Sequence, residues 1–230
     1  MTVKKLIVLL VVIAGIWACN KDSDSSIPDT ASYINVYIAN PEASYDAVLD
    51  TATLGTGLSL GEYSGYKSFT AKRYNLYIFA TGNRTDTLIQ GQISLRNNHH
   101  YTVFFEKNHN GVLQLLATDD KIGADSKTSG YLRVVNLSDT YLSTGAAMVL
   151  DFDVDSTRTY TNIGYLGVSV FRELTPGAHK LDIRSVSDSV SRLYTNPEDF
   201  VIEAGKTYSF IAYGNALKPD SFTIATFQHN

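Results

Sequence analysis

Several side-chain groupings in this sequence have residue types suited to chemistry, and each can be weighed by what its spacing demands. Gly57-Leu58-Ser59-Leu60-Gly61 fits G-x-S-x-G, the turn that presents a nucleophilic serine between a strand and a helix. Here Gly61-Glu62-Tyr63-Ser64-Gly65 follows, which is turn-forming, so Ser59 lacks the helix that the elbow needs. Ser64-Gly65-Tyr66-Lys67 has the S-x-x-K spacing without the companion motifs of the penicillin-interacting enzymes. Gly205-Lys206-Thr207 resembles the end of a phosphate loop, yet Phe200 stands where its first glycine belongs, so a hairpin turn is expected.

Metal ligation is weighed in the same way. Asp151, Asp153 and Asp155 alternate, so on a strand they share one face and could attract a cation. The calcium-loop pattern fails because Ser156 and Asn162 occupy its glycine and terminal-acid positions, and a solvent-facing edge is the expectation. His99 and His100 are adjacent and point to opposite faces of a strand, so polar turn residues are expected there. No metal, cofactor or catalytic residue is expected, and the chain is read as a non-enzyme.

The N-terminus carries the clearest signal. Lys4 and Lys5 precede an apolar run from Leu6 to Ile16, and Ile16-Trp17-Ala18 lead to Cys19, the sole cysteine. This is secretory-signal grammar, and the run is shorter than the ~20 residues that span a bilayer. The junction resembles a lipobox, with a small residue before a cysteine that is acylated and becomes the first residue of the mature chain. Several acyl chains anchor stably where one is marginal. Cys19 is therefore expected to be the lipidation site. Asn20 to Ser26 reads as a flexible polar tether, and its lysine followed by acids also resembles the address that sends Bacteroidota-type lipoproteins to the outer face of the outer membrane. An outer-membrane lipid anchor is expected, on the periplasmic or cell-surface face. Net charge is −4, which gives no basic footprint for nucleic acid.

Five Asp-Ser/Thr sites are followed by a small or aliphatic residue or by Thr157. They resemble the O-glycosylation sequon of exported Bacteroidota proteins and make Thr30, Thr51, Thr87, Ser156 and Ser189 candidates. The same dipeptides are favoured in turns through side-chain to backbone hydrogen bonds.

The elements that position these residues read as strands. Short alternating runs rich in Val, Ile, Tyr, Phe and Thr recur at Tyr33–Ile38, Asn75–Ala80, Thr102–Phe105, Tyr131–Val135, Met148–Val154, Lys180–Ile183, Tyr208–Ala212 and Ser221–Phe227, separated by turn residues. The chain also repeats once. Tyr33-Ile34-Asn35-Val36 matches Tyr131-Leu132-Arg133-Val134, and Tyr101-Thr102-Val103-Phe104 matches Tyr208-Ser209-Phe210-Ile211. The expected organisation is a signal peptide at 1–18, a lipidated cysteine and tether at 19–30, and β-repeats at 31–122 and 129–230.

Gly130 to Ser138, Val149 to Asp153, Leu174 to Leu181 and Val201 to Phe210 resemble the domain of unknown function DUF4397. The first half follows it more faintly, through Asn40-Pro41 and Tyr45-Asp46-Ala47-Val48. The resemblance implies an all-β, exported protein built as two tandem Ig-like or transthyretin-like β-sandwiches of about seven strands each. It implies no catalytic residue. The functional expectation is a membrane-anchored, non-enzymatic envelope module for binding or assembly, its partner an envelope protein or a glycan. The alternative is a carbohydrate-binding accessory of a polysaccharide-uptake system, using exposed Tyr63, Tyr66, Tyr141 or Tyr160 as sugar platforms.

Overall fold

Alternation of apolar residues with period two places one row of side chains on each face of a strand, so a strand apolar on both rows must be covered on both faces. A computed structural model describes residues 30–122, 127–186, 188–195 and 199–229. The first half contains β1 (Ala31–Ile38), β2 (Tyr45–Leu49), β3 (Ala52–Leu58), β4 (Lys67–Thr70), β5 (Arg73–Ala80), β6 (Thr87–Ser94), β7 (His100–Lys107) and β8 (Leu113–Asp120). They form two sheets, β4-β1-β7-β8 and β3-β2-β5-β6.

The second half contains β9 (Gly130–Leu137), β10 (Leu150–Val154), β11 (Thr157–Ile163), β12 (Gly167–Val168), β13 (Arg172–Leu174), β14 (Gly177–His179), β15 (Leu181–Ser185), β16 (Asp188–Thr195), β17 (Phe200–Ile202), β18 (Thr207–Tyr213) and β19 (Thr223–Gln228). Here the sheets are β12-β9-β18-β19, with β13 also on β9, and β11-β10-β15-β16, beside the small pair β14-β17. The fold is all-β, two sandwiches in tandem. Each run expected to be a strand lies in one, apart from a residue or two at its ends. Among the described residues the expected seven or so strands per half become eight and eleven, because the second half breaks its edges into short pieces. No helix of the described residues is long and apolar enough to cross a membrane.

The repeat is visible in its polar fastenings as well as its strands. Asp46 Oδ1 accepts the Gly57 N–H at 2.9 Å, and Asp151 Oδ1 accepts the Asn162 N–H at 2.9 Å. Gly57 and Asn162 both have left-handed φ, 65° and 57°, and the strand register shifts at both places. Each aspartate thus pins a β-bulge that bends an edge strand over the core. Asp50 and Asp155, both at φ 51°, accept the N–H of Asn75 and Lys180, each at 2.9 Å. Ser64 Oγ accepts the Val36 N–H at 3.0 Å and Ser169 Oγ the Val134 N–H at 2.8 Å.

Each sandwich has its own core. Ile34, Val36, Ile38, Leu49, Ile78 and Val103 belong to the first, and Leu132, Val134, Phe152, Ile183 and Phe210 to the second. A third cluster joins the halves, with Tyr37, Ala39 and Phe104 from β1, the residue after it and β7, and Val135, Leu137, Ile211 and Phe227 from β9, β18 and β19. The rings of Tyr37 and Phe227 meet edge-on at 5.9 Å. Sheets β4-β1-β7-β8 and β12-β9-β18-β19 are therefore middle layers, apolar on both sides.

The small, polar segment 123–130 joins the repeats, and by sequence the half from 129 to 230 is expected to fold alone; residues 123–126 lie outside the described residues. Removing the first sandwich would uncover one face of a middle layer, and each large aliphatic so exposed costs roughly 1.5–3 kcal/mol. We expect residues 31–230 to unfold in one cooperative transition, and a 129–230 fragment to be less stable by several kcal/mol. Denaturant melts of the two check this; two separate transitions in the longer chain would contradict it.

Candidate functional site

The seam between the sandwiches holds a cluster of buried polar groups, and it has two chemically different ends. At one end stands Arg133 on β9, 1% exposed in the middle of an apolar strand. Its guanidinium pairs with the buried carboxylate of Asp120 at the end of β8. It also donates to Thr118 Oγ1 at 3.0 Å, to the Asp119 carbonyl at 3.1 Å and to Ser209 Oγ at 2.7 Å. The ring of Phe171 lies 4.7 Å from it.

From Ser209 the bonds continue to His229 Nε2 at 2.8 Å, from His229 Nδ1 to the Tyr66 hydroxyl at 2.7 Å, and from Tyr66 to Asp120 Oδ2 at 2.8 Å. The bonds form a closed ring when Arg133 donates to Ser209, Ser209 to His229, His229 to Tyr66 and Tyr66 to Asp120. That assignment needs a neutral histidine protonated on Nδ1. Burial pushes His229 down to about 4, which keeps it neutral at physiological pH. Thr102 adds a further 2.6 Å bond to Asp120. An open cleft of about 410 Å³, lined by Asp119, Val168, Val170 and Phe171, lies against this end.

The opposite end is shaped by strand direction. β1 and β7 run parallel, and so do β9 and β18. Parallel pairing brings the C-terminal ends of each pair together, and the loops that follow meet across the seam. The His109 ring reaches Asp139 Oδ2 at 2.5 Å, and its backbone N–H donates to the same oxygen at 3.1 Å. Lys107 donates to both oxygens of Glu42, at 2.6 and 2.7 Å.

Two adjoining clefts of about 260 and 250 Å³ share Lys107, Asn108 and His109 as a wall. Gly214 on the second wall has φ 82°, and a Cβ there would sit 1.9 Å from the Ser221 carbonyl oxygen, so only glycine fits. Beneath them Glu106 accepts a hydrogen bond from Tyr165. Burial raises its carboxyl to about 7; the Tyr165 bond pulls the other way, and nearby Asp139 raises it further.

The residues singled out in the sequence are placed as follows. Ser59 is exposed in a turn where Glu62 accepts its N–H at 2.8 Å, so that carboxylate serves the turn. Ser64 Oγ donates to Asn35 Oδ1 on β1 at 3.2 Å, and Lys67 donates to the Thr53 carbonyl at 3.2 Å. Gly205 is a turn residue at φ 77° whose N–H bonds to the Ser129 carbonyl at 2.9 Å. His99 faces Asp119 at 2.9 Å, whereas His100 stacks on Tyr33 at 4.3 Å.

Two expectations need correction. Asp151 and Asp153 do not form a solvent-facing edge: β10 is an inner strand, both are buried, and Arg158 and Arg184 neutralise them at 3.2 and 2.7 Å. Among the described residues no group of three or more His, Cys, Asp or Glu is placed to hold a metal. Of the tyrosines considered as sugar platforms, Tyr160 is 2% exposed with its hydroxyl on the Leu132 carbonyl, and Tyr66 belongs to the buried ring of bonds. Tyr63 and Tyr141 are exposed. Cys19 lies outside the described residues, as does the Ser189 side chain; Thr51, Thr87 and Ser156 are exposed and Thr30 is half-buried.

Arg133 is a site residue that motif and spacing do not single out. Its signal is a charge inside Tyr131-Leu132-Arg133-Val134-Val135, where the equivalent of the first half is the neutral Asn35. A charge in a doubly buried strand requires a buried counter-charge.

Residues 32–143 match the family model of the domain of unknown function DUF4397. The chain carries a DUF4397 domain. The match covers the first sandwich and runs through β9 into the following loop, whereas the motifs themselves resemble the family more fully in the second half. Both halves use the same bulge and turn fastenings, so the motifs of one half are also slots of the other. No curated protein matches the chain.

Among solved structures, it is similar to the Bacillus anthracis TIE protein at 9% identity and TM-score 0.25, over 81% of this chain and 34% of that one. It is also similar to a "putative adhesin" of Bacteroides thetaiotaomicron VPI-5482 (10% identity, TM-score 0.23, 88% and 99% of the chains). A third is a "putative cell adhesion protein" of Bacteroides eggerthii DSM 20697 (12% identity, TM-score 0.21, 87% and 96%). The chain thus spans about a third of the length of the TIE protein it matches. At these TM-scores the likenesses carry no weight for function.

Two outcomes are expected from the seam. Arg133→Met leaves Asp120 buried without its cation and lowers stability by roughly 3–5 kcal/mol, while Arg133→Met with Asp120→Leu recovers most of the loss, as denaturant titration of the cycle will measure. Glu106 is raised in the fold, so its contribution to stability is present below its unfolded value and lost as pH rises through about 7. Glu106→Gln should accordingly melt higher than wild type at pH 8, with the gap closing towards pH 5 in a Tm-against-pH series.

Proposed function

We propose that this DUF4397 protein is a lipid-anchored, non-enzymatic module of the cell envelope that binds or assembles with an envelope component. Cys19 is the anchor, and the loops at the C-terminal ends of β1, β7, β9 and β18 are the binding surface. The observation that carries the reading is the convergence of loops from both sandwiches on one polar double cleft, held by a seam in which buried polar side chains are bonded to one another. Rigid sandwiches commonly carry specificity on such loops. The Ser59 turn, the bulge aspartates and the Gly205 hairpin all have structural employment, which accounts for them without a reaction. Exposed Thr51, Thr87 and Ser156 are the positions where O-glycosylation would be carried; Thr30 and Ser189 stand as further candidates by sequence.

One experiment tests anchor and surface together. A photo-crosslinking residue is placed at Asn110, on the β7–β8 turn, or at exposed Gln90 on the outer sheet, in the wild-type chain and in Cys19→Ser. Wild type should take up fatty-acid label, stay with the membrane and crosslink from position 110 and not from 90. Cys19→Ser should lose the label and the crosslink. Normal labelling of the mutant would remove the anchor, and equal crosslinking from both positions would remove the surface.

A further inference from the structure

The double cleft has a ligand chemistry that can be read from its walls. Asn40, in the loop after β1, lines the first cleft with 0% exposure, and its Oδ1 accepts the Glu42 N–H at 3.1 Å. Its Nδ2 has no hydrogen-bond partner among the described residues. A buried amide donor left unsatisfied is costly, and such groups mark places where an acceptor from outside the chain belongs. Charge does not select that acceptor. Lys107 is engaged by Glu42 and Asp139 by His109, so the charged groups of the walls are mutually paired.

The remaining lining is Pro41 and Leu137 together with amide and backbone groups of Asn108, Gly111, Gly214 and Asn215. Beside it stands Tyr141, 42% exposed, its ring 4.4 Å from that of His109. A polar, charge-balanced cleft with an unfilled donor and an exposed aromatic face beside it matches a ligand that is dense in hydroxyls and has an apolar C–H face.

We propose that this cleft binds a neutral oligosaccharide, with a sugar ring on Tyr141 and a hydroxyl over Asn40. The proposal rests on the envelope-binding reading above and names its ligand class. Tyr141 serves as the platform because, of the four tyrosines weighed for that role, it is the one whose ring meets a residue of this cleft. Anionic glycans are disfavoured, since the Lys107 ammonium is already held by both oxygens of Glu42.

The test uses residues 20–230 as purified protein on an array of neutral oligosaccharides with mannose, glucose, galactose, N-acetylglucosamine and xylose termini, with heparin and polyuronate fragments as the anionic arm. Hits are followed by calorimetry. Saturable binding of at least one neutral oligosaccharide is expected. Tyr141→Ala should weaken it roughly fivefold to tenfold; Tyr141→Phe should largely restore it, and Tyr63→Ala, outside the cleft, should leave it unchanged. Asn40→Asp keeps the acceptor for Glu42 and removes the donor, and should weaken binding with Tyr141 intact.

Tm values for each variant separate lost binding from lost fold; if Asn40→Asp unfolds, Tyr141→Ala on the exposed ring still decides. No neutral binding, binding only of the anionic arm, or binding insensitive to Tyr141→Ala overturns the proposal. If Asn110 crosslinks a membrane protein while the array stays blank, the sugar assignment falls and the envelope-binding reading stands. If both are blank, both fall.

Discussion

The pairing of Arg133 with Asp120 is the interaction on which the relation between the two sandwiches depends. Either ion alone inside the seam would cost several kcal/mol, and their attraction offsets this only because the remaining donors and lone pairs are also satisfied. Ser209, Thr118, Thr102, Tyr66 and His229 satisfy them, drawn from both halves. Apolar contact among Tyr37, Phe104, Val135, Ile211 and Phe227 supplies area but little direction. The ring of hydrogen bonds supplies direction, since its members fit in one register of the two sheets. We regard it as the element that turns two neighbouring sandwiches into one body.

That body uses one architectural plan twice and departs from it where the halves meet. Bulge-pinning aspartates, turn aspartates and strand-capping serines recur at a constant offset and do the same work in each half. At the seam the equivalents diverge: Asn35 bonds within its own half, to Ser64 and Thr102, whereas Arg133 crosses to Asp120. A duplicated sandwich would present two identical faces, and like faces with like charges do not complement each other. Placing a cation on one face and its acid on the other removes that conflict and fixes which faces join.

The two ends of the seam therefore have different chemistry. The Arg133 end is saturated, with its guanidinium and carboxylate enclosed and an open cleft beyond Phe171. The Glu106 end is under-satisfied: a carboxyl raised by burial, an amide donor without an acceptor at Asn40, and loops from both halves around it. Saturated buried networks rigidify, and groups left wanting are where an outside ligand gains most. Rigidity at one end and unmet hydrogen bonding at the other is a division suited to recognition.

Strand positions, the all-β class and the repeat were determined by the sequence itself, because period-two alternation and turn residues are local and survive any choice of partner. The expectation of export also rests on order along the chain alone, in Lys4-Lys5, the Leu6–Ile16 run and Cys19. Tertiary structure decided everything that depends on which residues face each other. Asp151 and Asp153 alternate as a surface edge would, and only the strand order β11-β10-β15-β16 and the arginines opposite show them buried. Tyr160 and Tyr66 have the composition of sugar platforms, but a ring's availability is set by what covers it. Arg133 could be seen as a charge in a strand too apolar to face water, yet its partner lies across the seam. The loop cluster around Asn40, His109 and Asp139 exists because two parallel strand pairs end on the same side, a consequence of topology that spacing along the chain does not encode.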